Sequence, residues 1–210
     1  MPMNLTSEDF ASLSVCDYAD FLPRNQFINP EIRPLWHPIP RIAGRAFTVF
    51  CDPGDHLMVH AAIYRAEPGD VLVIKADKNY AVAGGNVCAI AQQRGIAGMI
   101  VDGMIRDIAE VRAAKFPVYA RGVIPKPGAK RQISDLNQPI DCGGVIVHRH
   151  DMIVADEEGV AVIPKAQLEE AYKSAAARAE KDASLSLTQW RSQHQQNVER
   201  VLTTLGYQGK

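Results

Sequence analysis

Apolar and polar positions give the middle of the chain a different rhythm from its two flanks. Val71-Leu72-Val73-Ile74 is an unbroken apolar run after the turn Pro68-Gly69-Asp70. A run without alternation predicts a strand covered on both faces. Ala46 to Cys51 reads as a second strand. Asp55 can start a helix over His56 to Arg65, with Leu57, His60, Ala61 and Tyr64 at helical spacing. Helix Val87 to Arg94, strand Gly98 to Val101, helix Asp107 to Ala114 and strand Val118 to Ala120 continue the alternation, with Gly95 placed to stop the first of these helices. The pattern is βαβα, which predicts a mainly parallel sheet.

The flanks read differently. Ser7 can cap a helix carrying Glu8 and Asp9 in its first turn, and a short helix Val15 to Phe21 is ended by Pro23. Pro30, Pro34, Pro38 and Pro40 then mark a long connection that Trp36 is expected to pin down. Beyond Pro125 come three short strands, Gly143 to Val147, Met152 to Ala155 and Val160 to Ile163. Asp156-Glu157-Glu158-Gly159 is a hairpin signal between the last two. Gln167 to Leu205 reads as helix, interrupted near Ser184 to Ser186. Trp190, Val198, Val201, Leu202 and Leu205 form a stripe that can dock on a neighbouring subunit or on its own domain. The expectation is α/β: one domain over residues 1–165 with a parallel βαβα core and an antiparallel second sheet, then a helical extension over 166–210.

The 210 residues suffice for such a core, and 47% hydrophobic residues is the globular norm. A net charge of −1 gives no electrostatic case for nucleic acid, and Lys126, Lys130 and Arg131 read as a solvated loop. Cys16, Cys51, Cys88 and Cys142 are widely spaced without a Cys-x-x-Cys pair, so buried reduced thiols are expected. No signal-peptide pattern and no membrane-span-length apolar run is visible, so the chain is expected to be cytoplasmic.

Candidate chemistry centres on Gly84-Gly85-Asn86-Val87 and on Arg106-Asp107, which follows an apolar strand and Asp102-Gly103. Bare amides at a glycine-opened helix start and a guanidinium can hold a small anion. A neighbouring carboxylate can hold a hard divalent cation. The competing reading makes Arg106 and Asp107 a surface ion pair, or Asp107 a helix-start carboxylate. Ligands of open α/β sheets gather at the carboxyl ends of strands, which favours a site.

These blocks, with Arg94-Gly95-Ile96-Ala97-Gly98, Val101 to Asp107, Phe116-Pro117-Val118-Tyr119, Gly143 to Val147 and Ala155 to Val160, resemble the RraA-like family over roughly Val15 to Pro164. That family includes class II 4-hydroxy-4-methyl-2-oxoglutarate/4-carboxy-4-hydroxy-2-oxoadipate aldolases. The resemblance implies an αββα sandwich of swivelling-domain type, homotrimers or homohexamers with sites between subunits, and a Mg²⁺ or Mn²⁺ ion that binds a pyruvyl group. By match of position, Arg106 contacts substrate, Asp107 ligates the metal, and Asn86 and Val87 offer backbone amides to the substrate carboxylate. The implied function is a lyase that cleaves or decarboxylates a small anionic 2-oxo diacid through a pyruvate enolate, with no nucleic-acid or membrane partner. Family aldolases carry an acidic residue twenty-one positions before the arginine; Gly85 stands there. Some relatives bind and inhibit a ribonuclease, and that is the alternative function. A methyltransferase carries little weight, because Ala83-Gly84-Gly85-Asn86 is not the full nucleotide-binding glycine pattern.

Other residues read more plainly. His56 and His60, four apart, could ligate zinc, but without a third ligand they read as core or surface histidines. His148 and His150 read as one rim of a strand. Glu157 and Glu158 read as solvent-exposed, with Glu158 kept as a candidate reaching a neighbour's site. Asp102 either orients water beside the metal or caps its turn, and Asp17 reads as a local cap.

Overall fold

The computed structural model describes residues 3–209. Capping boxes open two short helices, Thr6 with Asp9 before α1 (Ser7–Ala11) and Ser14 with Asp17 before α2 (Val15–Tyr18). The first cap is therefore Thr6, not Ser7, because the Thr6 hydroxyl and amide can close the reciprocal pair with Asp9. Asp17 serves as the cap its position predicted. The proline-rich connection forms a two-residue strand, β1 (Arg33–Pro34), and Trp36 holds it by donating Nε1–H to the Phe116 carbonyl at 2.9 Å.

The central elements follow as β2 (Ile42–Phe50), α3 (Leu57–Ala62), β3 (Val71–Lys75), α4 (Gly85–Gln93), β4 (Gly98–Ile105), α5 (Ile108–Ala113) and β5 (Val118–Val123). Strands β2, β3, β4 and β5 are mutually parallel in the order β5-β4-β3-β2, and β1 pairs antiparallel on the outer edge of β5. The continuous apolar run of β3 is buried throughout, as its lack of alternation predicted. Helix α3 buries Met58, Val59, Ala62 and Ile63, not the Leu57/Tyr64 face the spacing favoured. Both faces are apolar, and the set at 58, 59, 62 and 63 goes to the sheet. Tyr64 is left exposed, and His60 is left half-buried.

After β5 come the hairpin β6 (Ile140–Cys142) and β7 (Val145–Val147), then the hairpin β8 (Met152–Asp156) and β9 (Gly159–Ile163). The antiparallel part is not a detached second sheet. Residues 46–50 of β2 pair with β3, and residues 42–45 of the same strand pair with β8, giving one seven-stranded mixed sheet. The separate antiparallel sheet is the small β6–β7 pair. Alternate residues of β8–β9 divide two cores. Ile153, Ala155, Val160 and Val162 join the large core with α3, α4 and α5, while Met152, Val154, Ala161 and Ile163 pack with α1, α2 and, from the C-terminal region, Ala171 and Ala175. His148 and His150 lie beyond β7 in a turn, not on a strand; Asp151 draws that turn closed by accepting the His148 amide at 2.8 Å.

The C-terminal region is α6 (Leu168–Ser184) and α7 (Leu187–Thr204), broken at Leu185–Ser186, where Ser186 caps α7 with Gln189. Helix α7 contains no buried residue. Cys51, Cys88 and Cys142 are buried free thiols, but Cys16 is exposed, because α2 turns Val15 and Tyr18 inward instead. Among the described residues no helix is long and apolar enough to cross a membrane.

Candidate active site

The end of β4 and the segment before α4 run side by side. Val82 donates its amide to Met104 O and Arg106 donates to Ala83 O, both at 3.0 Å. This ladder brings Gly84 against Arg106 and Asp107. A Cβ on Gly84 would strike Asp107 Oδ2 and come within 2.9 Å of Arg106 Cγ, so glycine is needed for the close approach. The first intrahelical bond of α4 is Cys88 N–H to Gly84 O at 3.0 Å. The amides of Asn86 and Val87 lie ahead of it and remain available to an outside acceptor.

Asp107 occupies the N-cap of α5 with left-handed backbone (φ 58°, ψ 40°), yet its side chain caps nothing there. The carboxylate turns back to accept the Gly85 amide at 3.2 Å and lies 3.4 Å from Arg106 Nε. A non-glycine residue held in this region is a small strain that clusters at functional sites. Asp107 thus stands at the helix start and pairs with Arg106, as the competing reading held, but its carboxylate faces α4 rather than capping α5. Its side chain is 36% exposed, leaving oxygen lone pairs for a further ligand. Among the described residues no three His, Cys, Asp or Glu side chains gather to hold a metal by themselves. A cation bound at Asp107 would complete its shell from water and substrate, the habit of Mg²⁺.

The cleft has a volume of about 100 Å³, well under the roughly 300 Å³ at which drug-sized sites begin. Its lining includes Gly84, Asn86, Val87, Arg106 and Asp107. It also includes His56, His60 and Lys130, which sequence reasoning assigned to the core or to solvent. The segment carrying Lys130 is sewn down rather than loose. The Asp55 carboxylate accepts amides from Leu57, Arg131 and Gln132, and Ala129 exchanges backbone bonds with Gly54 and His56. Burial pushes the Asp55 carboxyl up, but those three amides outweigh it and hold it below its ordinary value.

Sequence reasoning missed Glu110. A Cβ on Gly85 would overlap Glu110 Oε2, so the Glu110 carboxylate fills the space beside residue 85. The signal was legible: Glu110 follows Asp107 by three residues, one turn of α5.

Two candidates lie elsewhere. Asp102 is buried, and its carboxylate accepts Lys75 Nζ at 2.7 Å, Arg121 Nε, and the Gly143 amide at 2.9 Å. These partners hold its pKa below the ordinary value against the opposing push of burial, and they tie β3, β4, β5 and the β6–β7 turn together. Glu158 sits at the β8–β9 tip, in a separate pocket with Cys16 and Arg41.

Comparison with known proteins agrees with the architecture. A Halalkalibacterium halodurans protein named "Putative 4-hydroxy-4-methyl-2-oxoglutarate aldolase" is 40% identical over 168 residues, covering 79% of this chain and 80% of that one. A Burkholderia multivorans protein of the same name is 34% identical over 158 residues, covering 73% and 95%. Among solved structures, Streptomyces coelicolor RraAS2, described as an unusual member of the RNase ES inhibitor RraA protein family, superposes with a TM-score of 0.75 at 24% identity over 87% of this chain and 96% of that one. The RNA-processing inhibitor RraA from Thermus thermophilis superposes with a TM-score of 0.61 at 26% identity, over 77% and 94%. The RraA-like profile (Aldolase/RraA) matches residues 12–162, nearly the whole span of the two cores, and the chain belongs to that family.

Proposed function

We propose that this chain is a divalent-metal-dependent lyase that cleaves or decarboxylates a 2-oxo diacid through a pyruvate enolate. The supporting observation is the Asp107 carboxylate, turned out of its helix cap and onto the start of α4 beside Arg106. Mg²⁺ or Mn²⁺ held at Asp107 would act as a Lewis acid toward the 2-oxo group. The free amides of Asn86 and Val87 bind the adjacent carboxylate. Arg106 faces the 2-oxo oxygen and stabilises the negative charge that develops there.

In the retro-aldol direction the C4 hydroxyl loses its proton and C4 becomes a carbonyl carbon. The C3–C4 bond breaks, and its electron pair enters the enolate. Protonation at C3 then yields pyruvate. Glu110 Oε2, beside Gly85, is the group proposed to take the hydroxyl proton, directly or through a water. It stands in for the acidic side chain that Gly85 lacks. The same reading carries a ring of three or six copies and a four-layered αββα arrangement of swivelling-domain type.

The test is pyruvate release from oxaloacetate and from 4-hydroxy-4-methyl-2-oxoglutarate with Mg²⁺ or Mn²⁺ and with chelator. Turnover is expected to need the metal, to vanish in Asp107→Ala, and to fall about a hundredfold or more in Arg106→Ala. Undiminished turnover with chelator or in Asp107→Ala overturns the mechanism.

A second reading, a ribonuclease-binding inhibitor, draws on the Streptomyces and Thermus neighbours. It predicts a stable complex with an endoribonuclease and no requirement for Asp107. A pull-down run beside the lyase assay separates the two.

A further inference from the structure

Residues unused by the proposed chemistry form a second wall of the cleft. Helix α3 turns Met58, Val59, Ala62 and Ile63 into the core, which leaves His60 facing the cleft. His56, at the helix start, places Nδ1 3.3 Å from the Ala81 carbonyl, and its ring centroid is 4.8 Å from that of His60. Lys130 joins them from a segment fastened by backbone bonds to residues 54, 56 and 81 and by the Asp55 carboxylate. The first wall already carries the groups for one carboxylate and its neighbouring carbonyl: the α4 amides, Arg106 and Asp107. A substrate with only that headgroup has no use for an ammonium and an imidazole on the other wall.

We infer that His60 and Lys130 form the subsite for the second carboxylate of a dianionic 2-oxo acid, and so set the preference for diacids over monoacids. This rests on the proposed function for its substrate class. Burial, the Lys130 ammonium and His56 together push the His60 pKa down to about 4, so at neutral pH His60 is an uncharged ring able to donate one N–H. Lys130 supplies a lasting positive charge to this wall. The charge supplies attraction and the ring supplies direction, a division suited to a carboxylate on a flexible carbon chain.

The experiment has two arms, both on the metal-loaded full chain. Turnover is measured with 4-hydroxy-4-methyl-2-oxoglutarate and with 4-hydroxy-2-oxopentanoate, which keeps the pyruvyl head but lacks the second carboxylate. The diacid-to-monoacid ratio of kcat/KM is expected to fall roughly tenfold or more in Lys130→Met and in His60→Leu, as loss of a charge-assisted bond to a carboxylate should produce. Lys130→Arg should largely restore it. The second arm measures binding of 2-oxoglutarate and 2-oxopentanoate by calorimetry and needs no turnover. Wild type should bind the diacid more tightly, and Lys130→Met should lose that margin. No diacid preference in wild type, or a preference unmoved by both substitutions, overturns the subsite. Absence of all turnover with a Lys130-dependent diacid preference overturns the lyase reading and leaves the subsite standing.

Discussion

Glu110 and Gly85 make a pair that neither residue announces alone. Gly85 removes a side chain at the start of α4, and Glu110 places a carboxylate in the vacated volume. Because Glu110 is exposed, Glu110→Gln should fold normally and lower kcat by about a hundredfold, within the usual range for a proton-transfer group. Pyruvate release measured beside an unchanged melting curve checks this; unaltered kcat removes Glu110 from the chemistry. His60 gives a prediction about pH. Its folded pKa of about 4 lies below its unfolded value of about 6.5, so the unfolded chain binds the extra proton between them. Stability from this residue is complete above that window and declines as pH falls through it. Urea midpoints across pH 4 to 7 should show a shallower slope in His60→Gln than in wild type. The place of Arg106 and Asp107 at the cleft was legible from their position after an apolar strand. The cleft position of His60 was not, because two apolar stripes on α3 competed and only packing against the sheet decides between them.

Elements were more legible in kind than in extent. The βαβα alternation, the β8–β9 hairpin and the break between α6 and α7 all stand where the pattern put them. Strands β2, β4 and β5 run longer than their apolar cores. Their extra residues join a ladder beside non-local partners, such as residue 81 beside Met104, which no local signal reveals. The same non-locality hid the way β2 serves two ladders. Gly44 sits at that exchange, where a Cβ would collide with the Gly69 carbonyl oxygen and lie 3.0 Å from Val71 Cγ2. A backbone carbonyl cannot swing aside as a side chain can. Gly44→Ala should therefore cost about 1–3 kcal/mol in urea unfolding, the usual range for overpacking. A loss within error of zero would mean that the two ladders slide easily at their junction. Asp102 works between elements as well. Removing its carboxylate leaves Arg121 with Glu31 alone and the buried Gly143 amide without its acceptor, and Asp102→Ala should destabilise by about 1–3 kcal/mol, the cost of unpaired buried polar groups.

At the scale of the molecule, α7 is the element whose presence the rest of the chain does not explain. None of its residues is buried, and Trp190 (46%), Val198 (37%), Val201 (42%) and Leu205 (77%) remain exposed along it. Eighteen residues of isolated helix are only marginally stable in water, and most helical stability in proteins comes from covering an amphipathic face. In the proposed ring assembly a second copy of the chain covers this stripe. If so, α7 adds nothing to the stability of one protomer and much to the assembly. A chain ending at Ser186 should keep both cores, because α1, α2 and α6 pack without α7. In sedimentation, the full chain should run as a multiple of 23.0 kDa and the shortened chain as smaller species. The melting temperature of the full chain alone should rise with protein concentration, since association stabilises by mass action. Identical sedimentation of the two chains would place the subunit contacts elsewhere on the fold and leave the α7 stripe outside the assembly.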